Sequence, residues 1–481
     1  MKKKIGIFSL ATLLVLSVTL AGCSASPATK VKLSPDDPVS LEVWHYYNGP
    51  QLKAFDKLVQ EFNETIGQEK GIVVEGKSQG NVSSLEQAVL DAAERKAGAG
   101  SMPNIFAAYA DTAYEIDKMG LVVDLKPYFT QQELDTYVES YIEEGVLSGK
   151  DALKIFPIAK STEVFVMNKT DWQKFAEATG ADESQLATME GVTKTAQDYY
   201  EWTDGLTLEK NDGKAFFGRD AMANYMIIGA MQQGVEIFSV ENGTVTLNFD
   251  KDVMKKLWEN YYVPFVKGYF AASGSFRSDD VKTGNILAFV GSSSGAMFFP
   301  EEVTISDTLT YPIDLEVLQA PEFEGGDSVA VQQGAGMVVT DTGEKEVYAS
   351  VEFLKWFTQE EQNLQFLLSS GYLPVKKSAN NLGTIQKQER ENPDVNMDIV
   401  KTAIGEILDN ELYTTKAFEH GTDARSVLEY ALGDSAKEAR KVVVQRLEEG
   451  KTLEEAVADF ISEEAFEEWY TETKQALEEV L

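Results

Sequence analysis

The 481-residue chain has one cysteine, Cys23, and two histidines, His45 and His420. With a single thiol no internal disulfide can form, so stability has to come from core burial. So few imidazoles leave no credible zinc site and no Cys/His nucleophile. The H-E-x-x-H helix of metalloproteases is absent. Basic charge is scarce as well: 43 Lys and Arg stand against 78 Asp and Glu, a formal net charge of -35. A surface of that sign repels nucleic-acid phosphates and anionic headgroups. Past the first residues the reading finds no Lys/Arg cluster to offset it. Neither a cofactor, a metal nor a nucleic-acid partner is expected.

What is present begins at the N-terminus. Lys2, Lys3 and Lys4 precede an apolar stretch, Ile5 to Ala21, whose only polar side chains are Ser and Thr. Its length suits a secretion signal over residues 1–22 better than a spanning helix. Leu20-Ala21-Gly22-Cys23 resembles the lipobox of bacterial lipoproteins, which implies acylation of the Cys23 thiol, with palmitate-type chains, on the extracellular face of the cell membrane. Removal of the signal leaves 40 bases against 78 acids, or -38. Residues 23–39 carry Pro27, Pro35 and Pro38 with little apolar content and read as a disordered tether.

After the tether, strand and helix patterns alternate. Leu41 to Trp44, Ile72 to Glu75 and Ile105 to Ala108 read as strands, with helices marked by Leu52, Phe55, Leu58 and Phe62 and by Leu85, Val89 and Ala92. Such alternation predicts an α/β fold with parallel strands. Ligands of such sheets sit outside the carboxyl ends of the strands, here Trp44 to Tyr47, Ser78 to Ser83 and Tyr109 to Thr112. A second α/β set follows, with strands at Ile155 to Ile158, Glu163 to Met167, Phe216 to Gly218, Ile286 to Val290 and Ala296 to Phe299, and a helix at Ala221 to Gln232. Beyond Gly334 the chain reads as mostly helical.

Several stretches carry a family resemblance in order along the chain. They are Val43-Trp44-His45, Met102-Pro103-Asn104-Ile105, Glu163 to Thr170, Gly334 to Val339 with Ala349 to Phe357, and Gly371-Tyr372-Leu373-Pro374-Val375. Together they resemble the extracellular solute-binding proteins of ABC importers, the group that includes the maltose-binding and glycerol-3-phosphate-binding proteins. Asn104, Met167 and Thr170 depart from the family's usual residues. The resemblance implies a two-lobed periplasmic-binding-protein-like fold, each lobe a sheet flanked by helices, joined by a hinge. It places lobe one at 40–157 plus 287–331 and lobe two at 158–286 plus 332–481. It also implies a monomer that captures a small-molecule solute and serves the permease subunits of an ABC transporter.

Sugar capture needs aromatic faces for a pyranose and hydrogen-bonding side chains for its hydroxyls. Candidate ligand-binding residues are Trp44, His45 and Tyr46 at the end of the first strand, Asn81 and Asp111 at the next strand ends, and Thr162 and Glu163 where the Asn168-Lys169-Thr170 strand begins, a position that the resemblance implies faces the cleft. Asp220, which could equally cap the following helix, and Tyr225 within that helix join them. So does Ser293, between Gly291 and Gly295, while Arg277 and Tyr372 enter by resemblance alone. A neutral mono- or oligosaccharide is the expected ligand; a glycerol-phosphate-type solute remains the alternative, favoured by Arg277 and the serine-glycine segment. A glycoside hydrolase pairing Glu163 with Asp111 or Asp220 is the rival from another class.

Overall fold

The computed structural model describes residues 31–147, 151–241, 243–393 and 395–481. Cys23 and the signal segment 1–22 lie outside them. Two four-stranded sheets carry the fold, built from β1 (Val39–His45), β2 (Ile72–Ser78), β3 (Ile105–Ala108), β4 (Glu163–Asn168), β5 (Phe217–Arg219), β6 (Ala288–Ser292), β7 (Leu315–Gln319) and β8 (Gly336–Val339). The first runs β8-β3-β1-β2 and the second β7-β4-β6-β5. β1 pairs in parallel with β2 and β3, and β8 closes antiparallel on β3. In the second sheet β4 is antiparallel to both β6 and β7, while β5 and β6 are parallel.

Local chemistry explains the helices that matter to the site. α1 (Gly49–Phe62) has Pro50 in its first turn, where a missing N–H costs nothing, and buries Phe55, Leu58, Val59 and Phe62 at helical spacing. α2 (Val82–Ala93) is capped by Asn81, whose side chain accepts the Ser84 amide at 2.8 Å. α3 (Ala110–Lys118) follows β3, and α4 (Met222–Gln232) follows β5. α5 (Lys251–Lys267) starts on the Asp250 cap and stops at Gly268, whose φ of +89° an L side chain rarely adopts. α6 (Gly421–Glu448) buries a stripe of Ala424, Leu428, Leu432, Ala436, Ala439 and Val443 against lobe two.

The two sheets organise two lobes, and the chain passes between them three times. Ser161 bridges Gln333, and Lys160 bridges Leu373, so segments near 160, 333 and 373 run side by side as the hinge. The Leu373 amide donates to the Lys160 carbonyl at 2.6 Å and the Gln333 amide to the Ser161 carbonyl at 2.9 Å. At their centre the ammonium of Lys160, only 1% exposed, donates to Glu144 and, at 2.7 Å, to the Gly334 carbonyl. Gln332 donates to the same Glu144 carboxylate and to the Ser140 carbonyl.

Four details differ from the sequence expectation. Ile155 to Ile158, read as a strand, makes only an isolated bridge, Phe156 to Met337, because Pro157 has no N–H to continue a ladder. Segment 287–331 was expected in lobe one, yet β6 and β7 pair with β4 and so belong to the second sheet; β8, expected in lobe two, pairs with β3. The core of lobe one accordingly joins residues 39–159 to 335–375. Ala296 to Phe299, read as a strand, instead closes a short helix, Ser293–Ala296, and its turn, because β6 continues through Ser292 to pair with Glu163. The described part of the tether is docked rather than free: Val39 and Ser40 belong to β1, Leu33 packs on the lobe-one core and Asp37 pairs with Lys345.

Candidate ligand-binding cleft

Carboxyl ends of β1, β2 and β3 and the start of β8 form one edge of lobe one; the ends of β5 and β6 with the start of β4 form the facing edge of lobe two. On the first edge the Tyr46 hydroxyl lies 3.3 Å from that of Tyr372 and accepts the Ala335 amide at 3.4 Å. Tyr109 stands beside Tyr46, and Ser294 of lobe two beside Tyr372, so tyrosines line the base of the cleft at the hinge. Asp111, in the first turn of α3, is pushed up to about 7 by burial, which the Arg425 guanidinium opposes. Among the described residues its Oδ1 has no hydrogen-bond partner.

On the second edge Glu163 is 2% exposed and is held by Arg219 in a buried ion pair and by the Asn224 amide at 2.8 Å. Burial still raises its pKa. The Asn224 carbonyl oxygen accepts from Arg425 in the first turn of α6. A polar chain thus runs from lobe two, through Arg425, toward Asp111 in lobe one. Ser293 Oγ and Arg219 Nε are buried on this edge without hydrogen-bond partners among the described residues. The lobes touch here: a Cβ placed on Gly421 would meet Asp111 Oδ1 at 2.4 Å, and Lys118 reaches Glu419 at 2.7 Å.

The expected residues separate into two groups. Tyr46, Asp111, Glu163, Ser293 and Tyr372 converge on the cleft, and Asp220 borders it, pushed up to about 6 by burial. Asp220 does not cap α4, whose N-cap is Ala221 at φ +49°; its carboxylate accepts the Arg277 amide at 3.3 Å. Trp44 leans on the loop at Gly100 and donates its indole N–H to Glu42, on the face of the sheet. His45 is fully buried between Tyr47 and Phe55, and burial pushes it down to about 4. The Tyr225 hydroxyl donates to the Leu257 carbonyl inside lobe two. Thr162 donates to the Val331 carbonyl in the hinge, Asn81 caps α2 at the exposed rim, and Arg277 is clamped by Asp280 and the Gly274 carbonyl. Reading by sequence put Tyr109 at a strand end without choosing it, and missed Arg219, Asn224 and Arg425. Of these three only Arg219, next to Asp220 at a strand end, carried a signal that could have found it.

Two stretches match catalytic letter patterns without the geometry. Gly71 to Ser78 spells G-x-x-x-x-G-K-S, but residues 72–78 are the strand β2 and cradle nothing. Gly291 to Gly295 spells G-x-S-x-G, yet Ser293 Oγ has no partner to take its proton, and His45 is sealed in lobe one.

An acid buried at a lobe contact should make folding stability pH-dependent. The Asp111 carboxyl is raised in the folded chain, so its contribution is fully present below the ordinary value of 3.8 and is lost as pH rises through about 7. Glu86 and Glu115 press it in the same direction, and Arg425 in the other. Asp111→Asn should therefore gain on the order of 1–2 kcal/mol over wild type at pH 8 and nothing at pH 4. Urea unfolding at both values checks this; an equal effect at the two pH values would refute it.

A two-lobed α/β body with a hinged, polar, tyrosine-floored cleft defines a binding protein of the solute-capturing class. Residues 57–393 match the family described as bacterial extracellular solute-binding protein, and the chain belongs to that family. That is a family of binding proteins, not of enzymes. No curated protein sequence matches the chain. Among solved structures it is similar to the cyclic alpha-maltosyl-1,6-maltose binding protein of Arthrobacter globiformis, at 18% identity and a TM-score of 0.66 over 92% of this chain and 99% of that one. It is also similar to UgpB of Mycobacterium tuberculosis, solved with glycerophosphocholine, at 15% identity and a TM-score of 0.65 over 92% and 100%. A third is the maltose/maltodextrin-binding domain of Bdellovibrio bacteriovorus bound to maltotriose, at 14% identity and a TM-score of 0.61 over 92% and 100%.

Proposed function

We propose that the protein is the lipid-anchored substrate-binding component of an ABC importer, which captures a neutral mono- or oligosaccharide between its lobes and delivers it to a permease. The observation that carries the ligand class is the set of unsatisfied buried groups around the cleft: Asp111 Oδ1, Ser293 Oγ and Arg219 Nε. Both donors and acceptors are on offer, as a polyhydroxylated ligand requires. Tyr46, Tyr109 and Tyr372 add aromatic faces at the base of the cleft. Ligand contacts to both lobes would favour the closed form over the open one.

Against a phosphate ligand stands the pairing of the arginines. Arg219 is neutralised by Glu163 and Arg277 by Asp280, while Asp111 and Glu163 share the field of Arg425. A glycerol-phosphate-type solute is the second reading, favoured by the likeness to the glycerophosphocholine-bound structure. Calorimetric titration with maltotriose, cyclic maltooligosaccharides and glycerophosphocholine separates the two. Saccharide binding should stay nearly flat between low and high salt and leave the sugar chemically unchanged. Binding of the phosphodiester alone would overturn the carbohydrate reading.

Anchoring is tested at Cys23. Cys23→Ser should shift the protein from the membrane fraction to the medium or periplasmic fraction, because stable retention takes more than one acyl chain. Unchanged retention would refute acylation.

A further inference from the structure

An open cavity of about 1210 Å³ lies on lobe two, where the end of α5 and the β5–α5 side of the sheet meet α6. It is separate from the cleft: none of the cleft residues named above lines it. Its volume lies above the roughly 300–1,000 Å³ of most small-molecule sites, so a ligand would fill part of it. Phe265, Phe270 and Val444 give it an apolar side. Lys437, Arg440 and Lys441 supply a local basic run that the sequence reading did not single out.

Arg440 is the unusual member. Lys437 has Asp434 at 3.6 Å and Lys441 has Glu438, but among the described residues no carboxylate lies within ion-pair distance of Arg440. Its guanidinium donates to the Val266 carbonyl at 3.2 Å and rests on Gly268, where an added Cβ would sit 2.4 Å from Nη2. Beside it, within reach of the guanidinium, lies the buried hydroxyl of Tyr200, a residue 3% exposed. A half-buried guanidinium with no carboxylate against it, lining a cavity, leaves a place for an anion. Acids at the rim, Asp434, Glu438 and Glu448, disfavour a dianion more than a monoanion.

We propose that this cavity is a second binding site, which takes an organic monocarboxylate: the carboxylate on Arg440 with the Tyr200 hydroxyl beside it, the apolar body against Phe265, Phe270 and Val444. Arginine's planar fork suits a carboxylate in a way that an ammonium does not. The site is independent of what the cleft binds.

Octanoate is a suitable probe, with octanol as its neutral match, titrated calorimetrically into the whole chain below the aggregation concentration of either. One octanoate per chain should bind, at least tenfold more tightly than octanol and more weakly as salt rises. Arg440→Gln should cost at least tenfold, and Arg440→Lys should recover part of that loss. Tyr200→Phe, which keeps the packing volume, should weaken octanoate several-fold while leaving octanol unchanged. Equal affinity for octanoate and octanol, or an octanoate affinity that Arg440→Gln and Tyr200→Phe both leave unchanged, would overturn the proposal.

Discussion

Arg219→Met should destabilise the protein by about 3–5 kcal/mol, since it strips the counter-charge from a carboxylate that has nowhere else to turn. The two side chains are 5% and 3% exposed, and Glu163 would keep only the Asn224 amide. Burial already raises the Glu163 carboxyl with Arg219 in place. Without the guanidinium it rises further, so the folded variant binds a proton that the unfolded chain releases at ordinary carboxylate values. The deficit should then shrink as pH falls toward 5 and be largest above neutrality. Adding Glu163→Gln to Arg219→Met should restore much of the stability, because the orphaned charge is gone. It should not restore solute affinity, which falls at least tenfold, about 1.4 kcal/mol, in the single and double variants alike. Urea unfolding at pH 5 and pH 8, with calorimetry on the same samples, gives both readouts. A stability loss that is independent of pH would show that the pair is not the buried unit described.

The hinge should respond nearly as strongly but in a different way. Lys160→Met leaves Glu144, 6% exposed, with the Gln332 amide as its side-chain partner and frees the Gly334 carbonyl. A loss of about 3 kcal/mol is expected, at the lower end for a broken buried pair because the amide remains. Since Lys160 ties the first crossing segment to the second, the variant should also populate open forms. Small-angle scattering should report a larger radius of gyration without solute, and affinity should fall by the share of closed form lost. A variant destabilised but unchanged in radius and affinity would reduce Lys160 to a core contact with no part in closure.

Periodicity and motif order carried the fold a long way. β1 to β4 lie where their apolar runs put them. Of the residues that the structure gathers at the lobe edges, strand ends pointed to Tyr46 and Asp111, the family stretches to Glu163 and Tyr372, and the glycine-flanked serine segment to Ser293. Allotment of strands to lobes was not legible, because Ile286 to Val290 and Gly336 to Val339 are alike as short buried runs. Only pairing with β4 or β3 tells them apart. Trp44 shows the limit within one strand: it shares a sheet face with Glu42, which takes its N–H, while Tyr46 beyond the strand reaches the cleft. Arg425 could not have been found by pattern, since its partner Asn224 lies 201 positions earlier and only the packing of α6 on α4 joins them.

Saccharide capture between the lobes is decided by calorimetric titration of the wild-type chain with maltooligosaccharides, set beside Arg219→Met. One saccharide per chain should bind, with little dependence on salt and at least tenfold more weakly in the variant. Saccharide binding that Arg219→Met leaves unchanged, or glycerophosphocholine bound where no saccharide is, would contradict it.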